Sequence, residues 1–171
     1  MSSSTPELLT AAVLTVSDSA FRGERVDVSG PAVAELLKEK HFSVISIQVV
    51  PDEQLEIQHA IAALCDEVRL VISTGGTGIA PRDVTPEATR AVCERLIEGI
   101  PEHMRAEGVK KTPRAVLSRG VCGIRGQSLV LNLPGSPKGA VESLTSVIEL
   151  LPHMLDVISG KTEHVVERPL C

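Results

Sequence analysis

Three glycines within four residues, Gly75, Gly76 and Gly78, form the stretch of this sequence with the clearest potential for chemistry. They follow the apolar residues 70–72, a run typical of a buried strand in a mostly parallel sheet. Glycines let the backbone turn sharply and approach a ligand closely, and free N–H groups in such a loop attract anions. The spacing matches neither a P-loop nor a dinucleotide-binding fingerprint. The pattern alone leaves two interpretations open: an anion-binding loop, or a glycine-rich connection without a ligand.

Two carboxylates stand near the ends of predicted strands. Asp83 comes just before Thr85 and Pro86, which are predicted to be the N-cap and the first residue of a helix. Asp52 follows the predicted strand 42–50; it could cap the next helix or face a ligand, and its local pattern favours the cap. Because ligands of open α/β sheets bind at the carboxyl ends of strands, both carboxylates are candidates for a site.

The segments that must position these residues alternate between strands and helices. The predicted strands are residues 9–16, 42–50, 70–73, 115–118, 120–124 and 127–133. The predicted helices are residues 31–40, a segment after Asp52 with apolar positions at 55, 57, 61 and 64, then 86–97, 100–110 and 140–158. This alternation predicts an α/β fold, a single three-layer domain with a mostly parallel sheet and helices on both faces. We assign residues 9–160 to that domain, 1–8 to a flexible tail and 161–171 to a C-terminal tail.

Two further connections could line a site. Residues 134–139 form a second loop with glycines and prolines after an apolar strand, which is either a tight turn or a second wall for a phosphate or nucleotide. The charged loop 20–30 is either a solvated surface loop or a wall, because it also follows the carboxyl end of a strand. Within it, Asp27 is predicted mainly to cap the next helix. The basic segment 110–114 is predicted to be exposed.

Composition restricts the class of function. Aromatic residues make up 1% of the 171 residues and the net charge is −5, which argues against base stacking and against a nucleic-acid-binding surface. No apolar run approaches the roughly 20 residues of a membrane span, and residues 1–5 lack the features of a signal peptide. The four cysteines are scattered without a CxxC pair, which disfavours a zinc site. We therefore expect a cytoplasmic protein with reduced thiols and no nucleic-acid or membrane partner.

Four motifs, in this order, resemble those of the MogA/MoaB family of molybdenum-cofactor biosynthesis. They are residues 16–19 (VSDS), 51–53 (PDE), 74–78 (TGGTG) with 82–86 (RDVTP), and 133–138 (LPGSPK). The resemblance extends over about residues 11–158. This is the family of molybdopterin adenylyltransferases, to which the G domains of gephyrin and its plant counterpart are related. The resemblance implies an α/β fold, usually a homotrimer, which binds molybdopterin and ATP. It implies transfer of AMP onto the terminal phosphate of molybdopterin, with release of pyrophosphate and a requirement for Mg²⁺.

The resemblance also implies roles for individual residues. Asp52 and Asp83 match the two acidic positions tied to catalysis. Carboxylates cannot favourably face a triphosphate unless a cation intervenes, and Mg²⁺ is often bound by one or two carboxylates plus phosphates. We therefore expect Asp83, together with Asp52, to anchor Mg²⁺ or to orient the attacking phosphate. Further candidates for contacts with the nucleotide and the pterin phosphate are Ser17, Asp18, Thr74, Gly75, Gly76, Thr77, Gly78, Arg82, Pro134, Gly135, Ser136 and Lys138. Among these, Arg82 and Lys138 are expected to neutralise phosphate charge.

Two other functions remain open from the sequence. A non-catalytic protein of the same family would bind molybdopterin through the glycine loops without using the carboxylates. A scaffold or interaction domain would use the glycines only as a turn. For the enzyme, we also expect that its product passes to a partner protein that inserts molybdenum.

Overall fold

A six-stranded mixed sheet organises residues 9–161, the part of the chain that this computed structural model describes. The strands are β1 (Thr10–Val16), β2 (Ser43–Val50), β3 (Leu70–Thr74), β4 (Arg95–Leu96), β5 (Cys122–Arg125) and β6 (Ser128–Leu133), in the order β2-β1-β3-β6-β5-β4. Neighbouring strands among β2, β1, β3 and β6 are parallel, whereas β5 and β4 join as antiparallel strands. The predicted tails lie outside the described residues, apart from Lys161.

The helices are α1 (Asp18–Phe21), α2 (Ser29–Glu39), α3 (Gln54–Glu67), α4 (Thr85–Val92), α5 (Gly99–Val109), α6 (Pro137–Val147) and α7 (Leu151–Ile158). Two 3₁₀ helices cover Pro113–Leu117 and Ile148–Leu150. No helix within residues 9–161 is long and apolar enough to cross a bilayer.

Two apolar cores, one on each face of the sheet, build the three layers. On one face, α2, α5, α6 and α7 cover β1, β3, β5 and β6 with side chains such as Leu37, Met104, Leu144 and Leu151. On the other face, α3 and α4 pack on the same central strands, and Ile61 is fully buried there. Each fully buried aliphatic side chain contributes about 1.5–3 kcal/mol. The predicted fold class, a mostly parallel sheet with helices on both faces, is confirmed.

The parallel strands of the sheet begin at one edge and end at the opposite edge. We call the edge at which β1, β3 and β6 begin the amino edge, and the edge at which they end the carboxyl edge. All five residues of β3 are buried, because a strand in the middle of a parallel sheet is covered on both faces. The glycine loop follows β3 directly, so it lies at the carboxyl edge, as the sequence predicts.

Three predicted elements differ in the structure. Residues 115–118, predicted as a strand, belong mostly to the 3₁₀ helix Pro113–Leu117, in which Val116 and Leu117 are exposed. An apolar run without a neighbouring strand or core has nothing to hold it extended. The predicted helix 86–97 ends at Val92, and Arg95–Leu96 instead pairs with β5.

The predicted helix 140–158 is interrupted in the structure. It is divided into α6, a 3₁₀ turn and α7, because Pro152 lacks an N–H and its ring clashes with the carbonyl one turn earlier. A short helix, α1, also lies where only loop was predicted.

The predicted helix caps are partly wrong. Val84 occupies the N-cap of α4, and Thr85 is its first residue. Likewise Glu53, not Asp52, precedes α3, so the simpler interpretation of Asp52 as a cap fails. Asp27 does bond the start of α2, since its Oδ1 accepts the Gly30 N–H at 3.0 Å. Because Asp52 does not cap α3, its carboxylate is available for the site.

Candidate functional site

The glycine loop has a backbone that other residues would strain. Gly75 and Gly76 have φ of +102° and +64°, in the left-handed region that favours glycine. A Cβ on Gly75 would lie 2.2 Å from the Val16 carbonyl oxygen, so the loop also packs too closely on β1 to accept one. Thr85 holds the loop from α4: its Oγ1 donates to Gly75 O at 2.9 Å and its N–H to Gly76 O at 3.1 Å.

The second loop, after β6, lies against the first. The Gly75 N–H donates to Leu133 O at 3.2 Å, and the Thr74 hydroxyl donates to Pro134 O at 2.7 Å. A Cβ on Gly135 would lie 3.2 Å from Gly75 Cα, so the two glycines sit in near contact. The two loops that the sequence predicted as separate walls are therefore one continuous surface.

Two cavities open on either side of this surface. The first has a volume of about 560 Å³ and includes Thr77, Gly78, Lys111, Arg114 and Pro134 in its lining. The second has a volume of about 390 Å³ and includes Ser17, Asp27, Asp52, Thr74 and Gly75. Both are lined by Gly76, Asp83, Gly135 and Ser136. The site thus offers two adjoining compartments whose shared wall carries glycines and one carboxylate.

The carboxylates of the site are held by backbone groups. Asp18 and Asp52 bond reciprocally: the Asp18 N–H donates to Asp52 Oδ2 at 2.8 Å, and the Asp52 N–H donates to Asp18 Oδ1 at 3.0 Å. Asp83 Oδ2 accepts the Ala80 N–H at 2.8 Å. Burial raises the pKa of Asp52, and the nearby charges of Asp18 and Asp83 raise it further. The unmet negative charge makes this cluster receptive to a cation.

The donor set suits an ion that is shared with a ligand. Asp52 Oδ1 and Asp83 Oδ1 have no hydrogen-bond partner among residues 9–161, and both side chains line the second cavity. Within those residues no group of three His, Cys, Asp or Glu side chains could hold a metal by itself. Mg²⁺ usually keeps waters and takes one or two carboxylates together with substrate phosphates. The residues present therefore fit Mg²⁺ brought in with a phosphate ligand.

Comparison with known proteins identifies the family. The model of the family described as a probable molybdopterin binding domain matches residues 12–153. The chain belongs to this molybdopterin-binding family. It is 42% identical over 160 residues to a molybdopterin adenylyltransferase of Helicobacter pylori strain J99, covering 91% of each chain. A crystal structure of the molybdopterin biosynthesis enzyme MoaB from Thermus thermophilus is 49% identical, with a TM-score of 0.85, and covers 90% of this chain and 98% of that one.

A longer relative carries the same domain. The Drosophila melanogaster molybdenum cofactor synthesis protein cinnamon is 43% identical over 155 residues, which cover 89% of this chain and 26% of that protein. The family predicted from the four motifs is confirmed. The predicted molybdopterin adenylyltransferase also agrees with the name of the Helicobacter pylori relative. The roles predicted for single residues stay predictions.

Within this molybdopterin-binding domain, two predicted phosphate-binding cations lie outside both cavities. Arg82 donates through Nε to Asp18 Oδ2 at 2.5 Å and through a second nitrogen to Glu53 Oε1 at 2.8 Å. Its hydrogen bonds hold the pKa of Asp18 below the usual value. Lys138 is exposed in the first turn of α6 and lines neither the first nor the second cavity. Of the predicted residues, Asp18 likewise touches the site only through its bonds to Asp52.

Sequence reasoning missed several residues that the family fold brings to the site. Lys111 and Arg114 line the first cavity, although their segment was predicted only to be exposed. Arg25 lines the second cavity together with Asp27, from the loop for which a wall role was left open. Arg119 contacts the glycine loop from outside both cavities, and nothing in its local sequence indicates this. The basic run 110–114 was the one local signal that could have been used.

Proposed function

We propose that this protein transfers AMP from ATP to the terminal phosphate of molybdopterin and releases pyrophosphate. The observation that carries the proposal is the pair of cavities that meet at the two glycine loops. Two anionic substrates that react with each other need adjoining compartments and a common wall able to accept phosphate. The wall formed by Gly76, Gly135 and Ser136 with Asp83 meets that requirement. The name of the Helicobacter pylori relative supports the same activity.

The chemistry is a substitution at phosphorus. An oxygen of the molybdopterin phosphate forms a bond to the α-phosphorus of ATP, and the bond from that phosphorus to the oxygen bridging to the β-phosphate breaks. The electron pair leaves with pyrophosphate. A phosphate nucleophile is already ionised near neutral pH, so the reaction needs no general base. Positioning and electrostatic stabilisation then supply most of the rate, as in other phosphoryl transfers.

The chain contributes backbone donors and two carboxylates. Main-chain N–H groups of the glycine loop can donate hydrogen bonds to phosphate oxygens without adding net charge, because a nest of N–H groups carries only partial positive charge. Asp52 and Asp83 would hold Mg²⁺ through their unpartnered oxygens. When bound, Mg²⁺ would neutralise the phosphate charge that these carboxylates would otherwise repel. Arg114 brings positive charge to the first cavity, as does Lys111, whose Nζ lies 3.5 Å from Glu142 Oε1 in the same lining.

Further parts of the proposal concern binding, assembly and location. We propose that ATP is a substrate, that the protein forms a homotrimer in the cytoplasm, and that the adenylated product passes to a molybdenum-insertion protein. Exposed apolar side chains on edge strands, Ile45 and Ile47 on β2 and Leu96 on β4, offer surface for contacts between copies. Cys65, Cys93 and Cys122 are free thiols, which supports a reducing compartment.

Incubation of the purified protein with molybdopterin, ATP and Mg²⁺ tests the activity. We expect pyrophosphate release that requires all three components, and a loss of about 100-fold or more in Asp83→Asn, which keeps the shape of the side chain and removes its charge. A protein that binds molybdopterin tightly but releases no pyrophosphate would instead be the non-catalytic member of the family. A protein that binds neither substrate in calorimetry would be a scaffold.

A further inference from the structure

Arg119 joins the glycine loop to the start of α4 through side-chain and backbone contacts. Its Nε donates to Gly78 O at 2.7 Å and one terminal nitrogen donates to Asp83 O at 2.6 Å. Its other terminal nitrogen forms an ion pair with Glu87, in the first turn of α4. Its backbone N–H also donates to Thr77 O at 2.9 Å. These partners lie 32 to 42 residues away along the chain, so the contacts exist only in the folded protein.

Apart from Arg119, the segment between the two carbonyls, residues 78–83, is held by local hydrogen bonds and by the exposed ion pairs of Arg82 with Asp18 and Glu53. Ala80 and Asp83 bond each other through Asp83 N to Ala80 O at 2.9 Å and Ala80 N to Asp83 Oδ2 at 2.8 Å. Ile79 is 69% exposed, so the segment is not anchored there by burial. A Cβ on Gly78 would lie 2.8 Å from Asp83 Oδ2, which shows how closely its two ends approach. Arg119 holds both of these ends at once.

Arg119 does this from outside the reaction site. It lines neither the first nor the second cavity but a third one, of about 610 Å³, next to α4 and β5. Asp83, by contrast, lines both of the reaction cavities. A residue in this position cannot touch substrate there, but its side chain reaches the backbone of Asp83.

We propose that Arg119 is a positioning residue for adenylyl transfer: its planar guanidinium fixes both ends of the segment 78–83 and so places the Asp83 carboxylate against both substrates. The inference rests on the proposed function, because it assigns Asp83 a part in that reaction. A planar guanidinium with five donors can serve two carbonyls and a carboxylate in fixed directions, whereas an ammonium on a flexible stem cannot. The charge alone is therefore not sufficient.

The Arg119→Lys variant tests this, because it keeps the positive charge and removes the fork. We expect the variant to fold and kcat to fall by about 10- to 100-fold, since a displacement of about 1 Å at a reacting centre can cost that much. The Mg²⁺ concentration for half-maximal activity should rise, while KM for molybdopterin changes less. Hydrogen exchange of the amides in residues 78–85 should also become faster, a readout that does not depend on activity.

Arg69→Lys is the matched control. Arg69 also donates to two backbone carbonyls, Gln127 O and Leu155 O, each at 2.9 Å, but at the amino edge of the sheet. Its replacement should lower the free energy of unfolding without changing the Mg²⁺ dependence or the exchange of residues 78–85. If Arg119→Lys and Arg69→Lys lose activity in proportion to their losses of stability, with no change in exchange at residues 78–85, Arg119 is only structural and the proposal is overturned.

The outcomes separate this inference from the proposed function. A wild-type protein that releases no pyrophosphate contradicts the proposed function, yet the exchange experiment still decides whether Arg119 fixes the segment. An active wild type with Arg119→Lys unchanged in kcat, Mg²⁺ dependence and exchange contradicts the inference alone. If Arg119→Lys does not fold, Glu87→Ala decides: it removes the carboxylate that orients the guanidinium and leaves Arg119 in place, and unchanged exchange and Mg²⁺ dependence would overturn the proposal.

Discussion

The amino and carboxyl edges of the parallel sheet are both tied by polar side chains that donate to backbone carbonyls, but they differ in what they leave open. At the amino edge, Arg69 donates to the carbonyls of Gln127 and Leu155. The buried Ser128 hydroxyl lies 2.9 and 2.7 Å from two carbonyls around the end of α3. These hydrogen bonds connect the starts of β3 and β6 to α7, to the β5–β6 turn and to the end of α3.

At the carboxyl edge, similar contacts hold a surface open. Thr85 and Arg119 bond the carbonyls of the glycine loop, and two cavities remain on either side of that loop. Asp52 keeps a raised pKa there, and the Asp83 charge contributes to it. The carboxyl edge thus keeps unmet charge and a conformationally demanding glycine loop beside the proposed site, whereas Arg69 and Ser128 satisfy backbone carbonyls at the amino edge. Substitutions at the two edges should accordingly separate activity from stability.

The largest effect is expected for Gly75→Ala. The new Cβ would overlap the Val16 carbonyl and the residue would have to keep φ near +102°. We expect a loss of about 3 kcal/mol or more in the free energy of unfolding, measured with urea, together with loss of activity. The control is Gly126→Ala in the β5–β6 hairpin, where φ is +57° and a Cβ would meet nothing within 4 Å. That variant should lose only about 1–2 kcal/mol, and equal losses for the two would contradict the close packing of the loop.

Asp52→Asn should lower activity without lowering the free energy of unfolding. Because the pKa of Asp52 is raised in the folded protein, the charged form costs stability above that pKa. Asparagine removes the charge and can still accept the Asp18 N–H. We expect adenylyl transfer to fall by about 100-fold while the free energy of unfolding at pH 7 stays the same or rises. The advantage should vanish as the pH falls through the folded pKa. A variant that is clearly less stable than the wild type at pH 7 would contradict the cost assigned to this charge.

Ser128→Ala tests the amino edge. The Ser128 side chain is buried and its removal leaves the carbonyls of Cys65 and Val68 without that donor. We expect a loss of about 1–2 kcal/mol in urea unfolding with kcat and KM unchanged. A change in KM for ATP would show that the two edges are coupled, which the comparison does not predict.

The smallest effect is expected for Arg82→Ala. Its ion pairs with Asp18 and Glu53 are at the surface, and the Arg82 side chain is 55% exposed, so solvent screens them and their loss should change the free energy of unfolding very little. Because Arg82 lowers the pKa of Asp18, their ion pair stabilises the folded protein only when Asp18 is charged. This stabilisation is present above the pKa of unfolded Asp and disappears as the pH falls through the lower folded pKa. The unfolding curves of the wild type and the variant should therefore differ slightly at pH 7 and coincide in acid. A difference between them that grows in acid would contradict the assignment.

Much of the fold follows from local pattern. The buried run that became β3, the alternation of strands and helices, and the position of the glycine loop at the carboxyl edge could all be predicted from residue types. The end of α4 at Val92 could not, because residues 93–97 leave the helix to bond β5: Glu94 N donates to Ile124 O and Ile97 N to Cys122 O. Edge pairing of this kind depends on the whole sheet.

The same limit applies to the site. The rule that ligands bind at carboxyl edges brings Asp52 and Asp83 to one cavity, and the structure places them there. Arg82 was predicted to meet phosphate because it is basic and near the loop, yet its contacts are with Asp18 and Glu53. Arg119 was not predicted at all, since its side-chain partners lie at least 32 residues away in sequence.

Transfer of the α-phosphate label from [α-³²P]ATP is the sharpest test of the proposed adenylyl transfer. We expect label to appear on molybdopterin in equal amount to the pyrophosphate released, Mg²⁺ to be required, and folded Asp83→Asn to transfer little. Release of pyrophosphate without labelled molybdopterin would contradict the proposal, as would a folded wild-type protein that binds both substrates and transfers no label.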